Sequence, residues 1–294
     1  VVAPPASEPD ARRRLGDAAY ATLVELMALP RGLGDPRRGA AIDALAQRFV
    51  ALGAEVERIE HRAYDPGTGQ AHELVTLMAH VRPAAPRRVV LATHFDTRPW
   101  ADEAGDPREH TQPVPGANDG TSGLAVILTV LPLLAAELPP DVGVTAIAFD
   151  GEELGRPDVP GGYCAGSREL ARRRAAGQLP RLRGAAFGVV LDMVGDRELD
   201  LPWERTSDGF HPELRAHVWA TARTAGLTAF RDAPGPAVID DHTFLSQAGI
   251  PSILVIDYDY PAWHTPADDL TQVSAESLGA VAEAVRLAIT RWPW

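Results

Sequence analysis

Two histidines and four acidic residues in this chain are of the types, and in the settings, that zinc chemistry requires. His94, Asp119, Glu153, Asp192 and His264 each stand just past an apolar run or at the start of a helix-forming stretch, and Glu152 directly precedes Glu153. Imidazole nitrogens and carboxylate oxygens gathered in one cleft are the ligands of zinc, and a carboxylate left over beside them serves to move protons. Such a set can hold one zinc through three ligands or two zincs that share a bridging carboxylate. Asp119, in the Gly-rich turn Gly116-Ala-Asn-Asp119-Gly-Thr-Ser-Gly123, is the natural bridge. Asp96, two residues beyond His94, is placed to accept the imidazole's other N–H and fix its tautomer, a supporting part rather than a ligating one. Adjacent residues at a strand end point apart, so one of Glu152 and Glu153 can coordinate while the other acts as a base, its pKa raised toward neutrality by a dry cleft. Spacing leaves open which does which.

These side chains are far apart in sequence and need a scaffold that brings them to one place. Val89–Thr93 and Val142–Phe149 are short, continuous and apolar, as strands buried on both faces are, and Gly188–Val194 (carrying Asp192 near its end) and Ser252–Ile256 read the same way. Between and after them, Thr121–Glu137 (despite Pro132), Cys164–Ala176, Glu213–Ala225 and Asp241–Ala248 read as helices, and Ser274 opens a closing helix that runs to about Arg291. Upstream, the spacing predicts helices over Asp10–Leu29 and Arg37–Leu52, stopped by Pro30 and Gly53. A hairpin-like pair, Ala54–Ile59 and Glu73–Val81, has its turn in Asp65-Pro-Gly-Thr-Gly. Strands alternating with helices make an α/β sandwich, and in an open α/β sheet ligands bind in the crevice beyond the carboxyl ends of the strands. The long connection from Arg98 to Pro115 is of the kind that carries function. Residues 1–9 read as a loose Pro- and Ala-rich segment and 10–294 as a single catalytic domain, with no linker-like stretch between.

Composition narrows the partners. Of 294 residues, 40 are acidic and 28 are arginine, with no lysine, for a net charge of -12, and such a surface repels a phosphate backbone, so nucleic acid is excluded. No apolar run approaches the roughly 20 residues that span a bilayer. Cys164 is the one cysteine; it forms no internal disulfide and reads as a small buried filler at a helix start. The opening Val1-Val-Ala-Pro-Pro-Ala-Ser lacks the basic and apolar parts of an intact signal peptide and is compatible with a mature end after cleavage, so a secreted or periplasmic location is the expectation.

Six ordered motifs carry a resemblance: His94-Phe-Asp96, Asn118-Asp119-Gly-Thr-Ser-Gly123, Asp150-Gly-Glu152-Glu153, Leu191-Asp192-Met193, Asp241-His242 and Trp263-His264-Thr265. From about Leu74 to the C-terminus the chain resembles the zinc aminopeptidases and the related glutaminyl cyclases. The resemblance implies a three-layer α/β sandwich whose central sheet is mixed, mostly parallel and flanked by helices, with zinc at its edge. It also implies the ligand role for Glu153 and the base role for Glu152. The aminopeptidase pattern puts one zinc on His94 and Asp192, a second on Glu153 and His264, and Asp119 between them. The glutaminyl cyclase pattern keeps one zinc, on Asp119, Glu153 and His264, and uses Glu152, Asp192 and Asp240 to handle protons and hydrogen bonds. All these residues are present, so one zinc is expected, two are compatible, and the ligand set does not choose.

Details outside the ligand set lean toward the cyclase. Trp263 before His264 resembles the cyclase's pocket indole, Tyr260-Pro261 its aromatic approach loop, and Asp240-Asp241-His242 its acidic pair, while Thr97-Arg-Pro-Trp100-Ala-Asp102 is similar to a loop of bacterial members, which places Trp100 near the pocket. The Asn118–Gly123 turn is closer to the aminopeptidases, and the cysteine pair of the animal cyclases is absent. Both patterns imply a peptide or protein N-terminus as substrate. A binding module that retains metal but not catalysis is a third possibility, which the retention of Glu152 opposes. Taken singly these residues have plainer uses: Asp119 as turn chemistry, His94 as a strand-end histidine, Asp240 as a helix cap, Trp263 and Trp100 as packing. Their joint order makes the metal site the stronger reading.

Overall fold

Continuous apolar sequence becomes continuously buried strand at the centre of the molecule. The computed structural model describes residues 8–157, 159 and 161–294. Within them the chain runs α1 (Glu8–Met27), α2 (Arg38–Ala51), β1 (Glu55–Tyr64), β2 (Ala71–Val81), β3 (Arg87–His94), α3 (Thr121–Glu137), β4 (Val142–Phe149), α4 (Ala165–Ala175) and β5 (Ala185–Asp192). It continues through β6 (Leu201–Trp203), α5 (Arg205–Phe210), α6 (Pro212–Thr224), β7 (Phe230–Pro234), α7 (Asp241–Gln247), β8 (Ser252–Ile256) and α8 (Ala275–Thr290). Every residue of β4 is buried, as is all of β3 after Arg87.

Six strands form one sheet in the order β1-β2-β4-β3-β5-β8. β1 pairs antiparallel with β2, and β2 with β4, while β4, β3, β5 and β8 run parallel. This is the mixed, mostly parallel sheet that the resemblance implies. From β3 the chain crosses through α3 to β4 on one side, then returns through α4 to β5 on the other, so a crevice opens past the end of β3. Val89 and Leu91 face the larger core, shared with Leu23, Phe49, Leu124 and Val285 from α1, α2, α3 and α8. Val90 and Ala92 face the smaller core with Leu170 of α4 and Leu245 of α7. The alternation is the period-two signature of a strand covered on both faces. α3 seats closely: a Cβ at Gly123 would lie 2.5 Å from Thr93 Oγ1 and 2.6 Å from the Leu191 carbonyl oxygen, so the residue must be glycine.

Boundaries shift where packing overrides local signals. Of the segment expected to be loose, residues 1–7 lie outside the described residues, and Glu8 and Pro9 already belong to α1. β1 reaches Tyr64, beyond the expected Ile59, because it pairs with β2 along its whole length to Tyr64↔Ala71 although most of it is not buried. The parallel pair β6–β7 and the six-residue helix α5 had no periodic signal to betray them. Glu204 builds α5 by accepting the backbone N–H groups of Thr206 and Ser207, both at 2.6 Å. Among the described residues no helix is long and apolar enough to cross a membrane.

His80 on β2 is fully buried, with Nδ1 3.0 Å from Thr145 Oγ1. Burial, reinforced by the positive charges of Arg88 and Arg181, lowers its pKa from 6.5 to about 4. The unfolded chain therefore binds this proton first, so the neutral ring's contribution is complete above pH 6.5 and is lost as pH falls toward about 4. At about 1.4 kcal/mol per pH unit, the loss is on the order of 1–3 kcal/mol. Unfolding free energies of wild type and His80→Gln should converge as pH drops through that window; a gap independent of pH would count against the assignment.

Candidate functional site

The side chains picked out from the sequence arrive at the crevice from five separate segments. His94 ends β3, Asp119 lies in the turn before α3, Glu152 and Glu153 form a single helical turn after β4, Asp192 is the last residue of β5, and His264 sits in the loop after β8. Three of these placements rest on unusual backbone. Gly151 turns the chain after β4 with φ 76°, Met193 takes φ 46° directly after Asp192, and His264 itself has φ 53°. Non-glycine residues in that region cost on the order of 1–3 kcal/mol each and persist where surrounding contacts over-determine them, commonly at functional sites.

The side chains meet. His94 Nε2 lies 3.1 Å from Asp119 Oδ1 and 3.2 Å from Asp192 Oδ1, and His264 Nε2 lies 3.7 Å from Asp119 Oδ2 and 3.3 Å from Glu153 Oε2. Asp119 thus faces both histidines, one with each oxygen. Potential ligand atoms of Asp119, Glu153 and His264 all fall within 4.8 Å of one another, as do those of His94, Asp119 and Asp192, and those of His94, Glu152 and Glu153. Glu152 also groups with Asp240 and Cys164. Asp240 caps α7 by accepting the N–H of Asp241, and its Oδ2 is buried without a hydrogen-bond partner.

Other expected residues have a different part. Asp96 does not hydrogen-bond His94: its Oδ1 is 3.7 Å from Nδ1, and its two oxygens instead accept the backbone N–H groups of Glu152 at 3.2 Å and Glu153 at 3.1 Å. It therefore shapes the glutamate turn while its Oδ1 still faces the buried, otherwise unpartnered Nδ1 of His94. Tyr260 is buried, and its hydroxyl donates to Asp268 Oδ1 at 2.7 Å, so it braces the last loop from behind and does not open onto the pocket. One face of the Trp100 ring is covered by the Arg156 guanidinium at 3.8 Å, with Arg98 at 5.3 Å. Trp263 stacks on the His264 ring at 3.9 Å and remains half-exposed, beside the exposed Tyr258 ring 6.3 Å away.

Sequence reasoning missed four supporting residues. Asp268 accepts the backbone N–H groups of Asn118 at 2.8 Å and Asp119 at 3.2 Å, tying the Asp119 turn to the His264 loop. Arg98, wholly buried, donates to Glu153 Oε2 at 3.1 Å and pairs through two nitrogens with Asp102. Asp102 faces His264. Cys164, with φ 59°, places Sγ 3.2 Å from Glu152 Oε1, in reach to donate its S–H. Only the long loop after Arg98 gave a hint; the rest are ordinary residues until the fold is known.

Electrostatics divides the two glutamates. Burial, then the charge of Glu153, holds Glu152 well above the usual glutamate range. Burial also acts on Glu153, but His264 and Arg98 overcome it and hold that carboxyl well below its usual range. Asp119 is pushed well up by burial and by the charge of Glu153. Burial opposes protonation of His264, yet Glu153 and Asp102 raise its pKa to about 9, and His94 is likewise raised by Asp119, Asp192 and Asp96 against its burial. Crowded acids and imidazoles of this kind, out of water with Arg98 as the guanidinium bonded to Glu153, are a donor set suited to a divalent cation.

Comparison with known proteins agrees with this architecture. A zinc-dependent exopeptidase from Parabacteroides distasonis superposes with TM-score 0.87 at 30% identity, over 94% of this chain and 98% of that one. A glutaminyl cyclase from Bacteroides thetaiotaomicron, bound to N-acetylhistamine, gives TM-score 0.85 at 31% identity over 94% and 97%. The fold is thus that of zinc-dependent exopeptidases and glutaminyl cyclases. Residues 76–289 match Peptidase family M28, and the chain belongs to that family of enzymes. Aminopeptidase YwaD of Bacillus subtilis is 29% identical over 217 residues, 69% of this chain but only 41% of the Bacillus protein, so the chain spans about two fifths of that relative's length.

Gly120 offers a test of how tightly the site is built. Its φ is 81°, and a Cβ there would lie 2.8 Å from His94 Cε1 and 3.0 Å from the Asp96 carbonyl oxygen. Gly120→Ala should cost about 1–3 kcal/mol in chemical denaturation and displace the His94 ring. A variant with the stability and activity of the parent would contradict this packing.

Proposed function

We propose that this chain is a zinc-dependent glutaminyl-peptide cyclotransferase, which closes the N-terminal glutamine of a peptide or protein to pyroglutamate and releases ammonia. Residues 10–294 form its catalytic domain. Asp119, Glu153 and His264 would hold the zinc, with His94 and Asp192 able to complete a second site through Asp119. Zinc bound there would supply Lewis-acid polarisation of a carbonyl, or acidification of water in a hydrolytic reaction. The observation that carries the reading is the grouping of Glu152 with Asp240, whose Oδ2 is buried and unpartnered. A second carboxyl beside the base suits a reaction that must take up one proton and give it back.

The chain's own residues divide that work. The buried acids attract the amino terminus of a peptide into the crevice, and the half-exposed Trp263 face beside His264 offers an apolar wall for its side chain. Glu152 accepts a proton from the α-amine as its nitrogen forms a bond to the side-chain amide carbon. It returns that proton to the departing nitrogen as the carbon–nitrogen bond breaks, so protons balance over the cycle. Glu152 stands beside Asp240 and within reach of the Cys164 thiol, apart from the three residues assigned to zinc.

An aminopeptidase is the second reading, favoured by the separate grouping of His94, Asp119 and Asp192 and by similarity to the Bacillus aminopeptidase. There Glu152 would deprotonate water for attack on the first peptide bond. A retained metal without turnover would make the chain a binding module. Ammonia release from a Gln-initiated peptide, measured beside amino acid release from aminoacyl substrates, separates these: ammonia alone supports the cyclotransferase, and amino acids alone the peptidase. Glu152→Gln should lower turnover by about 10²–10⁴-fold with zinc content unchanged. Activity of the parent enzyme should fall as pH drops and Glu152 protonates, which a profile of kcat against pH reads directly. Full activity in Glu152→Gln would remove this residue from the mechanism.

A further inference from the structure

The connection from β3 to α3 reaches back over the site and grips His264 at two points. The backbone N–H of Glu103 donates to the His264 carbonyl oxygen at 3.3 Å. One residue earlier, Asp102 Oδ1 faces His264 Nδ1 at 3.5 Å. That nitrogen is buried and has no hydrogen-bond partner of ordinary length, so a contraction of about half an ångström would complete a bond to Asp102. Asp102 is itself immobilised. Arg98 donates to it through Nε at 2.7 Å and Nη2 at 2.6 Å, a bidentate fork. The same guanidinium donates through Nη1 to Glu153 Oε2 at 3.1 Å and to the carbonyl oxygens of Glu153 at 3.1 Å and Gly155 at 3.2 Å. One buried arginine therefore fixes both the carboxylate that faces His264 and the neighbouring glutamate.

We infer that Asp102, held by Arg98, is the positioning residue of the metal site: it takes the Nδ1–H of His264, so that Nε2 presents its lone pair toward Asp119 and Glu153. This deepens the proposed function and rests on its assignment of Asp119, Glu153 and His264 as zinc ligands. Two features make an outside brace necessary. His264 has φ 53°, a backbone conformation that an L side chain does not hold unaided. Trp263 stacks flat on its ring, which limits tilt but leaves rotation about the ring normal and the choice of tautomer open. A carboxylate on the far nitrogen settles both, and raises the basicity of the near one. At His94 the corresponding acid is Asp96, 3.7 Å from Nδ1 with both oxygens accepting backbone amides; the acid at His264 is the one that an arginine fork fixes.

The test is zinc affinity, measured by competition with a chromophoric chelator, together with melting of the zinc-free protein. Asp102→Ala should bind zinc about 10–100-fold more weakly than wild type. Asp102→Asn, which keeps an acceptor oxygen and loses the charge, should fall between them. A residue that merely staples the loop would lower the melting temperature of the zinc-free protein and leave the affinity of folded molecules within about threefold of wild type, and that result overturns the inference. If Asp102→Ala does not fold, Asp102→Asn decides by the same criterion. His264→Ala separates the two claims. Should it keep wild-type zinc affinity, the ligand assignment itself falls; should it lose zinc while the Asp102 variants do not, only the positioning role is lost.

Discussion

Like charges brought together out of water are the constraint around which this molecule is built. Asp119, Glu152, Glu153 and Asp192 converge past the ends of three parallel strands, and carboxylates so placed repel one another unless something answers their charge. The chain answers in part. Two imidazoles face the acids, Arg98 reaches Glu153 from behind, and the turns that carry Asp119 and the glutamate pair are pinned by their amides to Asp268 and Asp96. What the protein does not neutralise is a donor set suited to a divalent cation.

Holding such a cluster takes rigidity, and the backbone shows where it is spent. Among the described residues four non-glycines have positive φ, and three of them, Cys164, Met193 and His264, border the site. Each is set by its neighbours: Cys164 by the hydrogen bond its backbone N–H donates to the Glu152 carbonyl oxygen, Met193 by the close of β5, His264 by the loop that reaches over it. A sheet buried on both faces supplies the fixed ends from which these turns depart. Binding groups mounted on such ends are more precisely placed than groups on free loops.

One scaffold of this kind serves two reactions because both begin with an amino terminus beside a metal and a single base. The ligand set is compatible with either, so selectivity belongs to what surrounds it. Asp240 next to Glu152 and the half-exposed indole of Trp263 against His264 are the features that differ in kind from a bare hydrolytic centre. The chain is similar both to a glutaminyl cyclase and to an aminopeptidase.

Much of this is legible in the sequence. Continuous apolar runs marked the interior strands, because a strand covered on both faces has no place for polar residues, and the ends of those runs marked His94, Glu152, Glu153 and Asp192. The meeting of distant acids and histidines followed from those strand ends, and the mixed sheet from the family resemblance that the motifs carry. The supporting contacts were not legible. Asp96 turned to backbone amides, Tyr260 became an internal brace, Trp100 was covered by an arginine, and Asp102 and Asp268 emerged as anchors for the His264 loop. By itself the sequence determined which groups can do chemistry and on which side of the sheet they surface, since burial pattern and residue type are local properties. Only the tertiary structure decided which carboxylate faces which imidazole, because those pairings depend on how separate loops pack over one crevice, and no local periodicity encodes that.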